Sequence, residues 1–544
     1  MTYKQLGSPA AISGDVVEKE IYVPADPNSL APVDLVRRWL ENCTSKHTKC
    51  QRSFVGGYVE SQADGIAPQR LLHITSTPES SVPTVRLVDA GCHFQSPYVA
   101  LSHCWGTPGK RPICTVKENI EIHKAQVPWS RLSQTFKDAC TLCFGLGIHY
   151  LWIDSLCIVQ DDPADWKQEA SIMGRIYEEA TFTIAASSAA DSSQGLFGVR
   201  AANMFAELPY HQDQMEKKGS IYAYMPLGSP GLTIERSPLN ERAWVLQEYV
   251  LSRRTAHFTK QGVIWSCGRD PAATRDEFDG GGSHVVPNTW VAMIRDYSKR
   301  KLTFKTDKLV AIQGLASSWS RRYRKTYYNG VFLEDMPHCL RWSWSGMTDE
   351  RLVRDVGNDI PSWSWASTTG SVDFDTPEGS VSSTPVYKDI RPSDVVVGGL
   401  TFKAAIKEVT SFKGSFDCLP TTRYESLRAV DCDSASQPGP RSWCNHSNHV
   451  EMYYLLLDAS EQNIGWGLFD ETPPASGSIY CLPLVKESMR KWYEPPGDTS
   501  EPFYLWSLLL QRTQEVNVYK RVGYGGVCPP SWVEDERPQV IHLA

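Results

Sequence analysis

The sequence predicts an α/β fold with a parallel-sheet core and a β-rich C-terminal region. Three observations carry this. Residues 98–188 read strand–helix–strand–helix–strand, with the spacing that right-handed crossovers in a parallel sheet need. After residue 360 the pattern turns to short alternating runs broken by Pro, Gly and Ser. The chain has 544 residues, 41% hydrophobic and 22% charged, which is ordinary for a folded protein and enough for about two to four domains.

The elements follow in order. Val33 to Cys43 place Leu35, Trp39 and Leu40 at helical spacing. A turn-rich stretch with Gly56, Gly57, Gly65 and Pro68 follows, and then LLHITST and VRLVDA read as two short strands able to pair as a hairpin. YVALSHCW, Tyr98 to Trp105, is a buried strand running into a loop at Gly106, Pro108 and Gly109. Ser133 opens a helix with Phe136, Ala139, Cys140, Cys143 and Phe144 on one face, stopped by Gly145 and Gly147. HYLWIDSLCIVQ is an apolar run of strand length, so Tyr98–Cys104 and His149–Ile158 are expected as neighbouring parallel strands.

Asp161-Asp162-Pro163 has the acidic cap and first-turn Pro of a helix start. Trp166, Ala170, Met173, Ile176 and Tyr177 then form an apolar stripe to about Ala180. TFTIAASS is the third strand. Ser237-Pro238 opens a helix over LNERAWVLQEYVLSRR, and 255–267 reads as two strands. Asp279–Ser283 is a glycine loop, and residues 288–320 are helical with a break near 304–307. SWSWAS at 362–367 reads as a strand with Trp363 and Trp365 on one face, packed toward the α/β core. Residues 373–394 and 431–449 read as long loops. The resulting division is 1–90, an N-terminal helix and short strands; 91–255, the α/β core; 256–365, a mainly helical extension; and 366–544, the β-rich region.

Composition narrows the function classes. Lys+Arg 55 against Asp+Glu 62 gives a net charge of −7, so no basic excess points to nucleic acid. No apolar run of about 18 residues predicts a membrane span. The start, MTYKQLGSPAAISGDVVEKE, has neither the basic nor the apolar region of a secretory signal. The 15 cysteines are scattered and odd in number, and read as reduced thiols of a cytoplasmic protein.

Three motifs in this order carry a resemblance: YVALSHCWG, then HYLWIDSLCIVQDDPADWKQEASIMGRIYEEATFTIAASSAADSSQGLF, then ERAWVLQEYVLSRR. Together they resemble the HET domain, named for heterokaryon incompatibility in filamentous fungi. The match runs from Tyr98 to Glu248, so the 91–255 segment is expected to be that domain. The helix with Cys43, His47 and Cys50, DKLVAIQGLAS and IPSWSWAS also resemble flanking parts of such proteins. The resemblance implies non-self recognition and programmed cell death. It also implies a flavodoxin-like sheet distantly similar to TIR domains, some of which cleave NAD. No G-x-x-x-x-G-K-[ST] phosphate loop accompanies it, unlike family members that carry a nucleotide-binding region.

Candidate site residues sit where parallel strands end. Glu169 lies within the apolar stripe, three residues after Trp166, where burial raises a carboxyl pKa unless a cation compensates. TIR enzymes also use a Glu shortly after a Trp on a comparable helix, with one more residue between. Glu169 is thus a candidate catalytic residue, or else a structural partner of Arg242 or Arg175. Asp154 is the second catalytic candidate, or caps the turn that follows it. Ser102, His103, Trp105, Cys157, Gln160, Trp166 and Arg242 are the candidate ligand-binding residues. Arg242 is read as sharing a helix with Trp244, Gln247 and Glu248.

His103 with Cys104 as nucleophile is disfavoured, because adjacent strand residues face opposite ways; His103 with Cys157 is geometrically allowed. Cys140-x-x-Cys143 lies on an apolar helix face and reads as core. Cys43, His47 and Cys50 offer three metal ligands on about two turns, but no fourth is apparent, so no metal is expected.

Three functions remain open at this level: an incompatibility effector acting through other proteins, a TIR-like hydrolase with NAD as substrate and Glu169 as catalyst, and a secondary-metabolism tailoring enzyme with an aromatic-lined cleft for a small-molecule ligand. No cofactor is otherwise called for. A Rossmann G-x-G-x-x-G does not follow the first strand. Neither nucleic acid nor membrane is an expected partner; a homo-oligomer is compatible with the sequence.

Overall fold

The computed structural model describes residues 2–4, 31–47, 50, 68–76, 82–91, 94–197, 205–212, 217–224, 230–260, 262–267, 289–344, 360–374, 383–387, 389–416, 453–471, 473–474, 478–488, 503–527 and 531–544. The turns at Gly56, Gly57 and Gly65, the Asp279–Ser283 loop and the 431–449 loop lie outside the described residues. The chain forms two compact units: residues 1–286 with 300–323, and residues 287–299 with 324–544. No helix among the described residues is long and apolar enough to cross a membrane.

The first unit is built on a seven-stranded sheet. Its strands are β1 (Arg70–Thr75), β2 (Thr84–Asp89), β3 (Tyr98–Ser102), β4 (Tyr150–Trp152), β5 (Phe182–Ala185), β6 (Arg254–Thr259) and β7 (Gly262–Cys267). They lie in the order β7-β6-β5-β3-β4-β1-β2. The four central strands β6, β5, β3 and β4 are parallel. The predicted parallel pairing of the first two core strands is present: Tyr98, Val99 and Ala100 face Tyr150, Leu151 and Trp152.

The sheet as a whole is mixed rather than purely parallel. The hairpin β1–β2 joins it antiparallel beside β4, and β7 pairs antiparallel with β6. The physical reason is local. Short hairpin connections can only make antiparallel neighbours, whereas the central strands are separated by whole helices.

Those helices are α2 (Gln134–Gly145), between β3 and β4, and α4 (Pro163–Glu179), between β4 and β5. The chain leaves β3 for one neighbour and then crosses to the other side of it. Right-handed crossovers in opposite directions put the two helices on opposite faces. Asp162 caps α4 by accepting from the Ala164 amide, as its sequence predicts. Tyr98 and Tyr177 tie α4 to the sheet through hydrogen bonds to the Ile176 and Leu101 carbonyls. On α2, Phe136, Ala139, Cys140 and Cys143 enter the core, but Phe144 is at the exposed rim against His149.

Three local expectations are corrected. The His149–Ile158 strand stops at Trp152, and a four-residue helix, α3 (Asp154–Cys157), follows. The Asp154 carboxylate binds the next amide, and the Cys157 amide closes the turn onto Ile153. The helix expected from Ser237 is split into a 3-10 turn at Pro238–Glu241 and α5 (Trp244–Val250). Arg242, at φ −86° and ψ 134°, is extended between them and forms a bridge to Lys301, so it is outside the helix. On the N-terminal helix α1 (Ala31–Lys46), Val33, Val36 and Cys43 are the buried face, with Trp39 and Leu40 partly covered.

Helix α7 (Val310–Tyr323), which follows α6 (Trp290–Tyr297) in sequence, crosses α4 at a pair of glycines. A Cβ on Gly174 would stand 2.7 Å from the Gly314 Cα, and one on Gly314 would stand 2.8 Å from the Gly174 Cα. Backbone cannot yield as a flexible side chain can. Gly314→Ala is expected to lower the stability of this unit by about 1–3 kcal/mol, read from urea unfolding. An unchanged midpoint would show that the helices can part without cost.

The second unit contains an 11-stranded, largely antiparallel sheet spanning residues 383–543. SWSWAS is corrected here too. It forms no strand: Ser364 caps a 3-10 turn at Trp365–Ser367. Both indoles are nonetheless fully buried, within the same unit: Trp363 stacks on Tyr328, and the Trp365 N–H donates to the Gly330 carbonyl. The hydroxyl cap competes with a strand ladder for the backbone, and here it prevails.

Candidate functional site

The strand order places β3 between β4 and β5, the two strands that follow it. That is the switch point of a parallel sheet, where loops diverge and a crevice opens at the carboxyl ends. Ser102 ends β3, and His103, Cys104 and Trp105 lead out of it. Gly106 then turns at φ +80°, where a Cβ would strike the Asp191 side chain at 2.6 Å. The loop after β5 brings Asp191 and Ser192 to the same edge, and α3 brings Asp154.

Asp154 is the centre of this edge. Its Oδ1 meets His103 Nε2 at 3.0 Å and accepts from the Ser155 amide at 2.7 Å. Its Oδ2 accepts from the Trp105 indole at 2.8 Å. Asp154 thus caps its own turn, as one alternative had it, and also ties the β3 exit to α3 through His103 and Trp105. Burial opposes its ionisation, but His103, Arg242 and the Trp105 N–H outweigh that, and the carboxyl is held below its ordinary range. An ionised carboxylate only accepts, so His103 Nε2 carries the proton in this pair. The other ring nitrogen faces Ser192 Oγ at 3.0 Å. A carboxylate offers about four acceptor positions, and the three donors named leave one over. The Asp154 side chain is 21% exposed, so part of it reaches the surface of this edge.

Arg242 donates to the His103 carbonyl, and Ser102 donates to buried Glu248. Burial raises the Glu248 pKa against the pull of Arg242 and Ser102. A small cavity adjoins this pair, lined in part by Ser187, Ser237 and His257. Gln160 spends its amide on the Asp154 and Ile158 carbonyls at 3.0 and 3.1 Å, which makes it a support. Trp166 packs edge-on against Trp244 at 6.4 Å.

Glu169 stands apart from this network. It is completely buried, and Oε1 accepts from the Gln69 amide at 3.2 Å. Oε2 makes no hydrogen bond of normal geometry among the described residues, and the neighbouring Trp152 indole weakly favours its charged form. No ion pair joins it to Arg242 or Arg175 among those residues; Arg175 faces Glu178 and Glu179. Burial lifts its pKa to about 7, against the Gln69 amide and the charge of Arg70. Arg70 itself is bound by Asp165 at 2.5 Å.

The thiols are poor nucleophiles. Burial pushes Cys104 up to about 11 and Cys157 up to about 12. Cys157 lies in the core beside the Ile153 amide, and His103 spends both ring nitrogens on Asp154 and Ser192. The Cys140-x-x-Cys143 pair is fully buried in the same core, as read from its helix face.

Sequence reasoning missed Ser192 and Asp191. Both lie just past the third strand, TFTIAASS, so the carboxyl-end rule applied to that strand would have included them.

The fold and this edge define an α/β protein with a polar site at the switch point of its sheet. Residues 98–248 match the family described as heterokaryon incompatibility protein (HET), and this stretch of the chain is a HET domain. The matched range contains the whole Asp154 network, with Glu248 as its last residue. Neither comparison with curated proteins nor comparison with solved structures finds a match.

Proposed function

We propose that this chain is an incompatibility effector of filamentous fungi, whose HET domain couples non-self recognition to programmed cell death in the cytoplasm. Its partners in this reading are other proteins of the response, a second copy of the chain, or a small ligand seated at Asp154. Residues 91–255 carry the activity, and residues 1–90, 256–365 and 366–544 support or regulate it.

One observation carries the reading: the two candidate carboxylates have opposite properties. Asp154 reaches solvent, is held ionised and has an acceptor position to spare. Those are properties of a binding group. Glu169 has a pKa suited to proton transfer at neutral pH, but it is sealed from solvent. An edge equipped to bind, without an accessible acid or base, suits a signalling module better than a hydrolase.

Induced expression in a filamentous fungus should arrest growth. Asp154→Ala removes the acceptor of both His103 and Trp105, and should abolish the arrest at unchanged protein level. Full expression without effect, or an equally toxic Asp154→Ala protein, would count against the reading.

The second reading is a flavodoxin/TIR-like NAD hydrolase, favoured by the buried Glu169 carboxyl and its raised pKa. It requires an opening that brings substrate to Glu169. Purified protein should then consume NAD, and Glu169→Gln should not. A wild type that leaves NAD intact removes this reading.

A further inference from the structure

Three of the four residues concerned were visible as a possible ligand set, and the fold supplies the fourth. Cys43 lies in the last turn of α1, His47 follows that helix, and Cys50 comes three residues later. The Cys50 amide donates to the His47 carbonyl at 3.1 Å, which curls the chain back and turns both side chains toward Cys43. Cys267 is the last residue of β7, the edge strand of the seven-stranded sheet. It stands 220 residues from His47 in sequence and 3.8 Å from its Nδ1 in space. The Cys50 sulfur is 3.5 Å from the same nitrogen. The three sulfurs and the His47 nitrogen all lie within 4.8 Å of one another.

We propose that Cys43, His47, Cys50 and Cys267 form a structural zinc site that ties helix α1 to the edge strand β7. Zinc prefers four tetrahedral ligands of this kind, Cys₃His. With Zn–S near 2.3 Å and Zn–N near 2.0–2.1 Å, tetrahedral geometry puts a sulfur about 3.6 Å from the nitrogen. The observed 3.5 and 3.8 Å bracket that value. The four ligand atoms are all within 4.8 Å of one another, close enough for one ion; a two-iron cluster would divide its ligands between two metals.

The surroundings fit a metal–thiolate centre. Three thiolates and one Zn²⁺ carry a net charge of −1. Arg254, opposite Cys267 in the β6–β7 pair, donates from Nε to the Cys43 sulfur at 3.1 Å. Its Nη1 is anchored on the Thr181 carbonyl at 3.1 Å, and the residue is 6% exposed. A buried guanidinium aimed at sulfur is the outer support that metal-bound thiolates take. A disulfide would account for two of the four residues and leave the third thiol and the imidazole unexplained. Binding involves no redox change: the thiols give up their protons to solvent as Zn–S bonds form, and His47 binds through unprotonated Nδ1.

The site lies outside residues 98–248, so it belongs to what frames the HET domain rather than to the Asp154 edge. Its effect is to fix a helix that would otherwise hold to the sheet by side-chain packing such as Trp39 on Trp265.

The full chain, purified without a histidine tag under reducing conditions, should contain about one zinc per chain by elemental analysis, as one four-ligand site requires. A thiol-blocking mercurial should release it to a chromogenic chelator. Cys267→Ser and His47→Ala should each lose zinc to that chelator at least about tenfold more readily, while Cys114→Ser, a thiol elsewhere in the unit, should retain it. Should the ligand variants fail to fold, cobalt(II) exchanged into the wild type should show the intense visible bands of a tetrahedral thiolate site. A reduced wild type that takes up neither metal would overturn the proposal. So would folded ligand variants that keep their zinc, or a native disulfide among Cys43, Cys50 and Cys267.

Discussion

Glu169→Gln is expected to gain on the wild type by roughly 3 kcal/mol as the pH rises from 4.5 to about 7. The sign follows from which state holds the proton more tightly. In the unfolded chain this carboxyl titrates near 4.5, and in the folded protein near 7. The folded state therefore binds the proton better. The contribution of Glu169 to stability is complete below 4.5 and is lost as the pH rises through the folded value. The cause is burial, since the side chain has no exposed surface and Oε2 makes no hydrogen bond of normal geometry among the described residues. The groups around it do not cancel this. The Gln69 amide, Arg70 and the Trp152 indole favour the charged form, but Asp165 holds Arg70 and repels Glu169, and burial outweighs them. Gln keeps the shape and the acceptor for Gln69, and it does not titrate. Urea unfolding of both proteins below pH 4.5 and above pH 7 reads the difference directly. A difference that does not vary with pH would mean that Glu169 is paired after all. A buried carboxyl with a pKa raised to about 7 is the group on this helix to test for activity.

Asp470→Ala should destabilise the C-terminal unit by about 3–5 kcal/mol. Asp470 binds Arg521 through both oxygens, at 3.0 Å from Nε and 3.0 Å from Nη2. Their side chains are 4% and 0% exposed. Arg521 also donates to the Leu340 carbonyl at 2.7 Å and to the Trp342 carbonyl, and its guanidinium lies 3.3 Å from the centre of the Trp342 ring. The carbonyls and the ring satisfy its geometry but cannot neutralise its charge. Removing the carboxylate takes away the anion that meets two of the guanidinium nitrogens of a fully buried Arg521. The double variant Asp470→Leu with Arg521→Met should recover much of the loss, because neither charge then needs solvation. Thermal unfolding of the three variants distinguishes this from simple loss of packing, for which the double variant would be worse than either single one.

The site residues show where local pattern is sufficient. Ser102, His103, Trp105 and Asp154 lie at one edge because parallel strands deliver their exits there, and the apolar runs that mark the strands are written locally. Glu169 was legible as a buried carboxylate because it interrupts an apolar stripe. What it faces was not: Gln69 is 100 residues away, and its amide is available because β1 joins the sheet beside β4. Arg242 was misplaced because its helical neighbours mask a single extended residue, whose backbone bridges Lys301.

The sequence by itself determined the parallel core and its helices, through periodicity, caps and apolar runs that act within a few residues. It also determined the membership of residues 98–248. Tertiary structure alone decided that the β1–β2 hairpin joins this sheet antiparallel beside β4, since strand partners distant in sequence are chosen by packing rather than by the strand's own residues. It alone decided that Asp154 and Glu169 occupy separate surroundings. It alone brought Cys267 to Cys43, His47 and Cys50, because a ligand 220 residues distant leaves no spacing in the chain, and closing the sheet's edge against α1 creates the fourth position.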